Sequence, residues 1–203
     1  MDMEVIKGYV EAHDYLIRSF EAIDSAVLLS PVVAFMPTQA SHIADIGAGT
    51  GRDASWLASM GHSVVAIEPV EQFRTSGKLL HQSPAIEWVD DYLPGLTSVV
   101  QNRVKFDFIL IVSVWHHLNN DDRILALHNL RSILKDGCMM VISLRMGPGS
   151  ESRKSYPTDI VEMTDMAMDS GFGVVASIEA PSVQPGNRQA GVKWNWLVLE
   201  ALA

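Results

Sequence analysis

Short apolar runs alternate with helix-patterned segments along most of this chain, and that alternation leaves few folds open to it. "HIADI" (42–46), "SVVAIE" (63–68), "AIEWV" (85–89), "FDFILIVSV" (106–114) and "CMMVISL" (138–144) read as strands with almost no polar alternation. "GRDASWLASM" (51–60), "VEQFRTSGKLL" (70–80), "DDRILALHNLRSIL" (121–134) and "TDIVEMTDMAMDSG" (158–171) read as helices, with Gly61 and Gly171 where helices stop. Continuous apolar strands separated by helices must be covered on both faces. The expected fold class is therefore α/β, a doubly wound and mainly parallel sheet. Two more strands, "FGVVASIEA" (172–180) and "VKWNWLVLEA" (192–201), follow with only a loop between them. No crossover helix joins that pair, so one of the two must run antiparallel to the rest.

The first 40 residues carry a different pattern. "VIKGYVEAHDYLIRSF" places Val5, Tyr9, Ala12, Leu16 and Phe20 at helical spacing, and "SAVLLSPVVAFMP" reads as a second helix that Pro31 kinks or restarts. No linker divides the chain. The expectation is one domain over residues 1–203, with residues 1–40 a helical cap.

Charge and composition narrow the partners. The chain is 48% hydrophobic and 19% charged, with a net charge of −9. A surplus of acid offers no counterion release from a phosphate backbone, so nucleic acid is not an expected partner. No apolar run approaches the roughly 20 residues that span a bilayer. The N-terminus has no signal-peptide pattern, and a cytoplasmic location is the expectation. Cys138 is the single cysteine, which excludes an internal disulfide and a paired-cysteine zinc site. The seven histidines are scattered, so no metal site is expected either. Nothing in the sequence fixes the oligomeric state.

The loop after the first strand carries the chemistry. Ligands of open α/β sheets sit beyond the carboxyl ends of the strands, where strand order reverses. There the chain reads Gly47-Ala48-Gly49-Thr50-Gly51, a G-x-G-x-G. A dinucleotide fingerprint needs a sixth-position glycine, which is Arg52 here, and a phosphate loop needs a closing Gly-Lys-Ser/Thr, which is missing. Glu68 ends the second strand, where an acid can accept from both ribose hydroxyls of an adenosine. Asp90 and Asp91 follow the third strand, where either can accept from an adenine amino group.

"IADIGAGTG", "VVAIEP", "VDDYLP", "FDFILIVSVWHHL" and "LKDGCMMVISL" resemble, in order, the motifs of the class I methyltransferases that use S-adenosyl-L-methionine. "GTGRDASWLASMGHSVVAIEP" is similar to the small-molecule methyltransferases of the tellurite-resistance type. Asp136-Gly137 stands where that family more often has Pro-Gly. The resemblance implies a Rossmann-like seven-stranded sheet with an antiparallel last strand. It also implies a cytoplasmic enzyme that moves a methyl group from S-adenosyl-L-methionine to a small molecule. Donor contacts are implied for Asp45, Gly47, Ala48, Gly49, Gly51, Glu68, Pro69, Ser113, Tyr15 and one of Asp90 and Asp91.

Methyl transfer is an in-line displacement in which the sulfonium is already activated. Alignment of donor and nucleophile is then the main requirement, and a base is needed only for a protonated nucleophile. His116 and His117 in "SVWHHL" are the candidates. The resemblance puts His117 in a structural position and leaves His116 as the catalytic candidate. Trp115 and the methionines of "EMTDMAMDSG" read as core. Tyr9, Tyr15 and Ser19 can close a lid over the donor, and Arg145, Arg153 and Arg188 can hold an anionic acceptor. Two other readings fit parts of the pattern: a non-catalytic protein that binds the same donor, and a nicotinamide-dependent oxidoreductase, against which the glycine spacing counts.

Overall fold

The structure is a computed structural model that describes residues 3–149 and 153–203. Seven strands form one sheet: β1 (His42–Ile46), β2 (Ser63–Ile67), β3 (Ile86–Val89), β4 (Phe106–Ile111), β5 (Leu134–Met146), β6 (Phe172–Pro181) and β7 (Lys193–Ala201). Their order is β3-β2-β1-β4-β5-β7-β6, and β7 runs antiparallel to both of its neighbours. The mainly parallel, doubly wound sheet with an antiparallel last strand is thus the observed fold. Strand order reverses between β1 and β4. In register, Ile46 lies beside Ile67 on one side and Ile111 on the other. The loops after β1, β2 and β4 therefore open at one edge.

Helices cover both faces. α4 (Arg52–Ser59) packs Ala54 and Leu57 with Leu29, Val32 and Met36 against Ile43, Ala66 and Leu110. The other face receives α6 (Thr97–Gln101), α7 (Asn120–Ile133) and α8 (Ile160–Asp169) through Val99, Leu127, Leu130 and Met163. Trp115 is fully buried there and donates its indole N–H to the Met163 Sδ at 3.0 Å, so both residues belong to the core. Asp91 accepts from the backbone N–H groups of Thr97, Ser98 and Val99, which fixes the start of α6.

The N-terminal region departs from its expected form. A continuous helix over 5–20 breaks at Ala12 into α1 (Met3–Glu11) and α2 (His13–Glu21). The helix expected at 25–37 is only α3 (Ser25–Leu28), capped by Asp24, followed by a turn and a short 3-10 segment at Val33–Phe35. Pro31 lacks the N–H that would continue α3. α1 and α2 pack on α5 (Glu71–Leu80) as a separate small cluster in which Leu16 meets Val70 and Phe73, joined by Tyr9 and Phe20.

Polar contacts tie this cap to the glycine loop. The Thr50 hydroxyl donates to Glu21, and Arg52 donates to the Phe20 carbonyl at 3.0 Å. Arg52 also forms a two-point ion pair with Asp53, at 2.9 and 2.6 Å, while Ser25 donates to the same carboxylate at 2.6 Å. Met1 and Asp2, part of the expected cap, lie outside the described residues.

Candidate functional site

A cavity of about 460 Å³ lies over the strand ends, roofed by α1 and α2. Its two ends differ in charge. One end is built by the glycine loop. Gly47, Gly49 and Gly51 all have positive φ (75°, 56° and 78°), which turns the backbone sharply between β1 and α4. The Gly47 and Ala48 N–H groups donate to the Ile67 carbonyl at 2.8 and 3.1 Å, pinning the loop to β2. Gly47, Ala48, Gly49 and Pro69, four of the residues for which donor contacts were expected, line the cavity.

Gly51 does not. A Cβ there would meet the Trp88 ring at 2.7 Å, so that glycine serves packing of the loop on β3. At Gly49 the neighbour is the Phe20 ring of the cap, 3.3 Å from an added Cβ.

Three carboxylates face this end: Asp45, Asp53 and Glu68. Glu68 is buried and accepts from the Gly49 and Val70 N–H groups, each at 2.8 Å. Burial nevertheless pushes its carboxyl up to about 7. Asp45 is buried and its Oδ2 has no hydrogen-bond partner among the described residues. Burial, then repulsion from Asp53, holds it well above the usual carboxylate range, against the pull of Arg52. A buried carboxylate with an open oxygen at the cavity wall fits a ligand ammonium.

Neither acid after β3 reaches the cavity. Asp90 is exposed and pairs with Arg74 at 2.8 Å, and Asp91 is consumed at the start of α6. Arg188 is also elsewhere, donating to the Ser182 and Val183 carbonyls at 2.8 Å each.

The other end is cationic and aromatic. After β4 the chain turns through Ser113, a non-glycine residue at φ 60°, whose N–H donates to the Ser143 hydroxyl at 2.7 Å. Ser113 lines the cavity, and the strained turn delivers Trp115–His117 as a 3-10 segment. The His116 and His117 rings lie 4.1 Å apart. His116 meets the Trp194 ring edge-on at 6.0 Å. The β5–β7 register sets Arg145 opposite Trp194, and the guanidinium lies 5.6 Å from that ring. Arg153 lies over the Tyr9 ring at 4.8 Å.

His117 is locked. Its Nδ1 lies 2.6 Å from the Lys154 carbonyl, which can only accept, so Nδ1 carries the hydrogen. The Nε2 is then an acceptor, and the Tyr9 hydroxyl donates to it at 2.9 Å. That contact, bridging 108 residues of sequence, was not legible beforehand. His116 is buried, and its Nδ1 has no partner among the described residues. Burial and the cations around it hold its ring well below the usual imidazole range; burial takes His117 down to about 4. Tyr15 and Ser19 lie at the cavity wall, with Tyr15 66% exposed at its rim.

Residues 44–140 match a family model described as a methyltransferase domain. Over that stretch the chain is similar to methyltransferase domains. An uncharacterized methyltransferase of Alkaliphilus oremlandii is 32% identical over 110 residues, a match spanning 54% of this chain and about half, 48%, of that relative. Among solved structures, the chain superposes on the 1,6-didemethyltoxoflavin-N1-methyltransferase of Burkholderia thailandensis with a TM-score of 0.76. Identity to that enzyme is 20%, covering 99% of this chain and 88% of that one. A TehB-like S-adenosylmethionine-dependent methyltransferase from Corynebacterium glutamicum gives a TM-score of 0.67 at 20% identity, over 96% and 98% of the two chains. No helix among the described residues is long and apolar enough to cross a membrane.

Proposed function

We propose that the chain transfers a methyl group from S-adenosyl-L-methionine to a small, anionic molecule. The observation that carries this reading is the division of one cavity into an acidic cradle and a cationic, aromatic chamber. Asp45, with its open oxygen, is suited to the donor's ammonium, and Glu68 to its ribose hydroxyls. Gly47 and Gly49 let the donor approach the backbone closely. When bound, the donor supplies a methyl group already activated by its sulfonium. The protein's own part is to hold the two reactants in line and keep water out, an effect of roughly 7–11 kcal/mol when alignment is good. Arg145 and Arg153 favour an anionic acceptor, and His116 is the catalytic candidate that would touch it.

Turnover to S-adenosylhomocysteine with a metabolite mixture tests the reading. Product formation supports it. Tight binding of the donor with no turnover across acceptors would favour a non-catalytic binding protein instead, and binding of NAD in place of the donor would favour the oxidoreductase.

The cap belongs to the same proposal. Of the lid expected over residues 1 to about 24, the described part from Met3 covers the cavity through Ile6, Tyr9, Leu16 and Phe20, and a ligand so roofed can leave only if the roof moves. Hydrogen exchange over this segment is therefore expected to slow when S-adenosylhomocysteine is added, with the central strands little changed. Equal protection with and without ligand would mean a fixed structural element.

A further inference from the structure

The chamber is a poor place for a base, and that bears on what it accepts. Among the described residues, every carboxylate that lines the cavity, Asp45, Asp53 and Glu68, stands at the glycine-loop end. The groups left at the other end are Tyr9 from α1, His116 and His117 from the 3-10 segment, Arg145 from β5, and Arg153. Both nitrogens of His117 are engaged, by the Lys154 carbonyl and the Tyr9 hydroxyl, and the hydrogen of Tyr9 is committed to that contact. Of the two histidines, His116 alone has an open nitrogen among the described residues. A proton on His116 would face Arg145, Arg153 and Arg123 as well as His117, all disfavouring a second positive charge. A neutral imidazole in that setting can still turn its N–H toward an anion.

Arg145 supplies the complementary charge. Its Nε donates to the Pro148 carbonyl at 2.9 Å and its Nη2 reaches the Asn187 Oδ1 at 3.4 Å, both neutral acceptors. No carboxylate pairs with it among the described residues.

We propose that the acceptor is a conjugated oxygen or sulfur acid that enters already ionised, such as a phenolate or thiolate, held by Arg145 and His116. No residue of the chain then removes its proton. This rests on the methyl-transfer reading. The step balances without proton movement: a lone pair of the anion forms the new bond to the methyl carbon, and the carbon–sulfur pair returns to sulfur. One anion and one sulfonium become two groups without those charges. The contacts to Arg145 are lost by the methylated product, which favours its release. Selectivity follows too, since an acceptor that stays protonated near neutral pH leaves Arg145 without its counterion.

The probe is 4-nitrophenol, whose phenolate absorbs visible light, titrated against the protein saturated with S-adenosylhomocysteine. The bound probe should ionise at least about tenfold more readily than the free one, one unit of pKa. Arg145→Met should abolish that shift, and Arg145→Lys, checked for folding by circular dichroism, should keep part of it. A probe bound as the neutral phenol, an unchanged shift in Arg145→Met, or no binding at millimolar concentration would overturn the proposal. Calorimetry of S-adenosylhomocysteine alone keeps the two readings apart. Loss of that binding sinks methyl transfer itself, whereas its presence beside a neutral or unbound probe sinks only the ionised acceptor.

Discussion

Glu68→Ala is expected to bind S-adenosylhomocysteine roughly 10²–10⁴-fold more weakly than the native chain above neutral pH. The carboxylate is placed to accept two ribose hydroxyls, and charge-assisted hydrogen bonds contribute about 1.5–3 kcal/mol each. It also satisfies the Gly49 and Val70 N–H groups, so the cradle loses its inner wall along with the ligand contact. A pH signature should accompany the loss. The ionised form is the better acceptor, so affinity should rise with pH and level off above about 7, where Glu68 is already ionised. Below that point binding should release a proton, detectable as a buffer-dependent enthalpy. The same group acts on folding with the opposite sense. Its folded pKa lies above its ordinary 4.5, so between there and about 7 the folded chain holds more protons than the unfolded one. Stability contributed by Glu68 is therefore present at low pH and lost as pH rises through that window. Glu68→Gln should flatten both profiles; unchanged affinity in Glu68→Ala would remove the ribose assignment.

The second large effect separates two glycines of one loop. In Gly47→Ala the new Cβ would lie 2.2 Å from the Val114 Cγ2, at a φ of 75°. Overpacking costs about 1–3 kcal/mol and the left-handed backbone about 1–2 more, which for a chain of this size lowers Tm by roughly 5–20 °C. Gly51→Ala meets the Trp88 ring at 2.7 Å and a φ of 78°, so a similar loss of Tm is expected. Only the first lies at the cavity wall. Folded Gly47→Ala should have weakened S-adenosylhomocysteine affinity, while folded Gly51→Ala should retain it. Thermal melts with titrations on the folded proteins check the pair, and equal loss of affinity in both would contradict the division of labour.

The strands were legible because burial on both faces of the sheet demands continuous apolar runs, and "HIADI" coincides with β1. That Asp45, Glu68 and the first two glycines meet at one cavity was legible for a related reason: the reversal of strand order fixes which loop ends meet. The place of the acids after β3, outside the cavity, was not legible because strand position alone does not say what a carboxylate satisfies. Asp91 is spent on α6, a helix too short to carry a periodic signature, and Asp90 on Arg74. Gly51 looked like its neighbours, yet the residue that requires it, Trp88, lies on another strand. The break at Ala12 stayed hidden because the apolar spacing of Val5, Tyr9, Leu16 and Phe20 suits one helix as well as two.

The position of β7 carries a consequence for how the chain is made. β6 touches the sheet only through β7, and β7 sits between β5 and β6. On the ribosome both neighbours are therefore synthesised before the strand that joins them, and each has an unpaired edge while residues 193–201 are still to come. At about 5–20 residues per second the gap between finishing β6 and finishing β7 is roughly 1–4 s. During that interval the nascent chain offers the open edge of β5 and a wholly unpaired β6 segment to its surroundings, the period in which a chaperone or a neighbouring nascent copy has most to bind. Completion of the sheet is thus a late event, since β6 can join it only once β7 has formed.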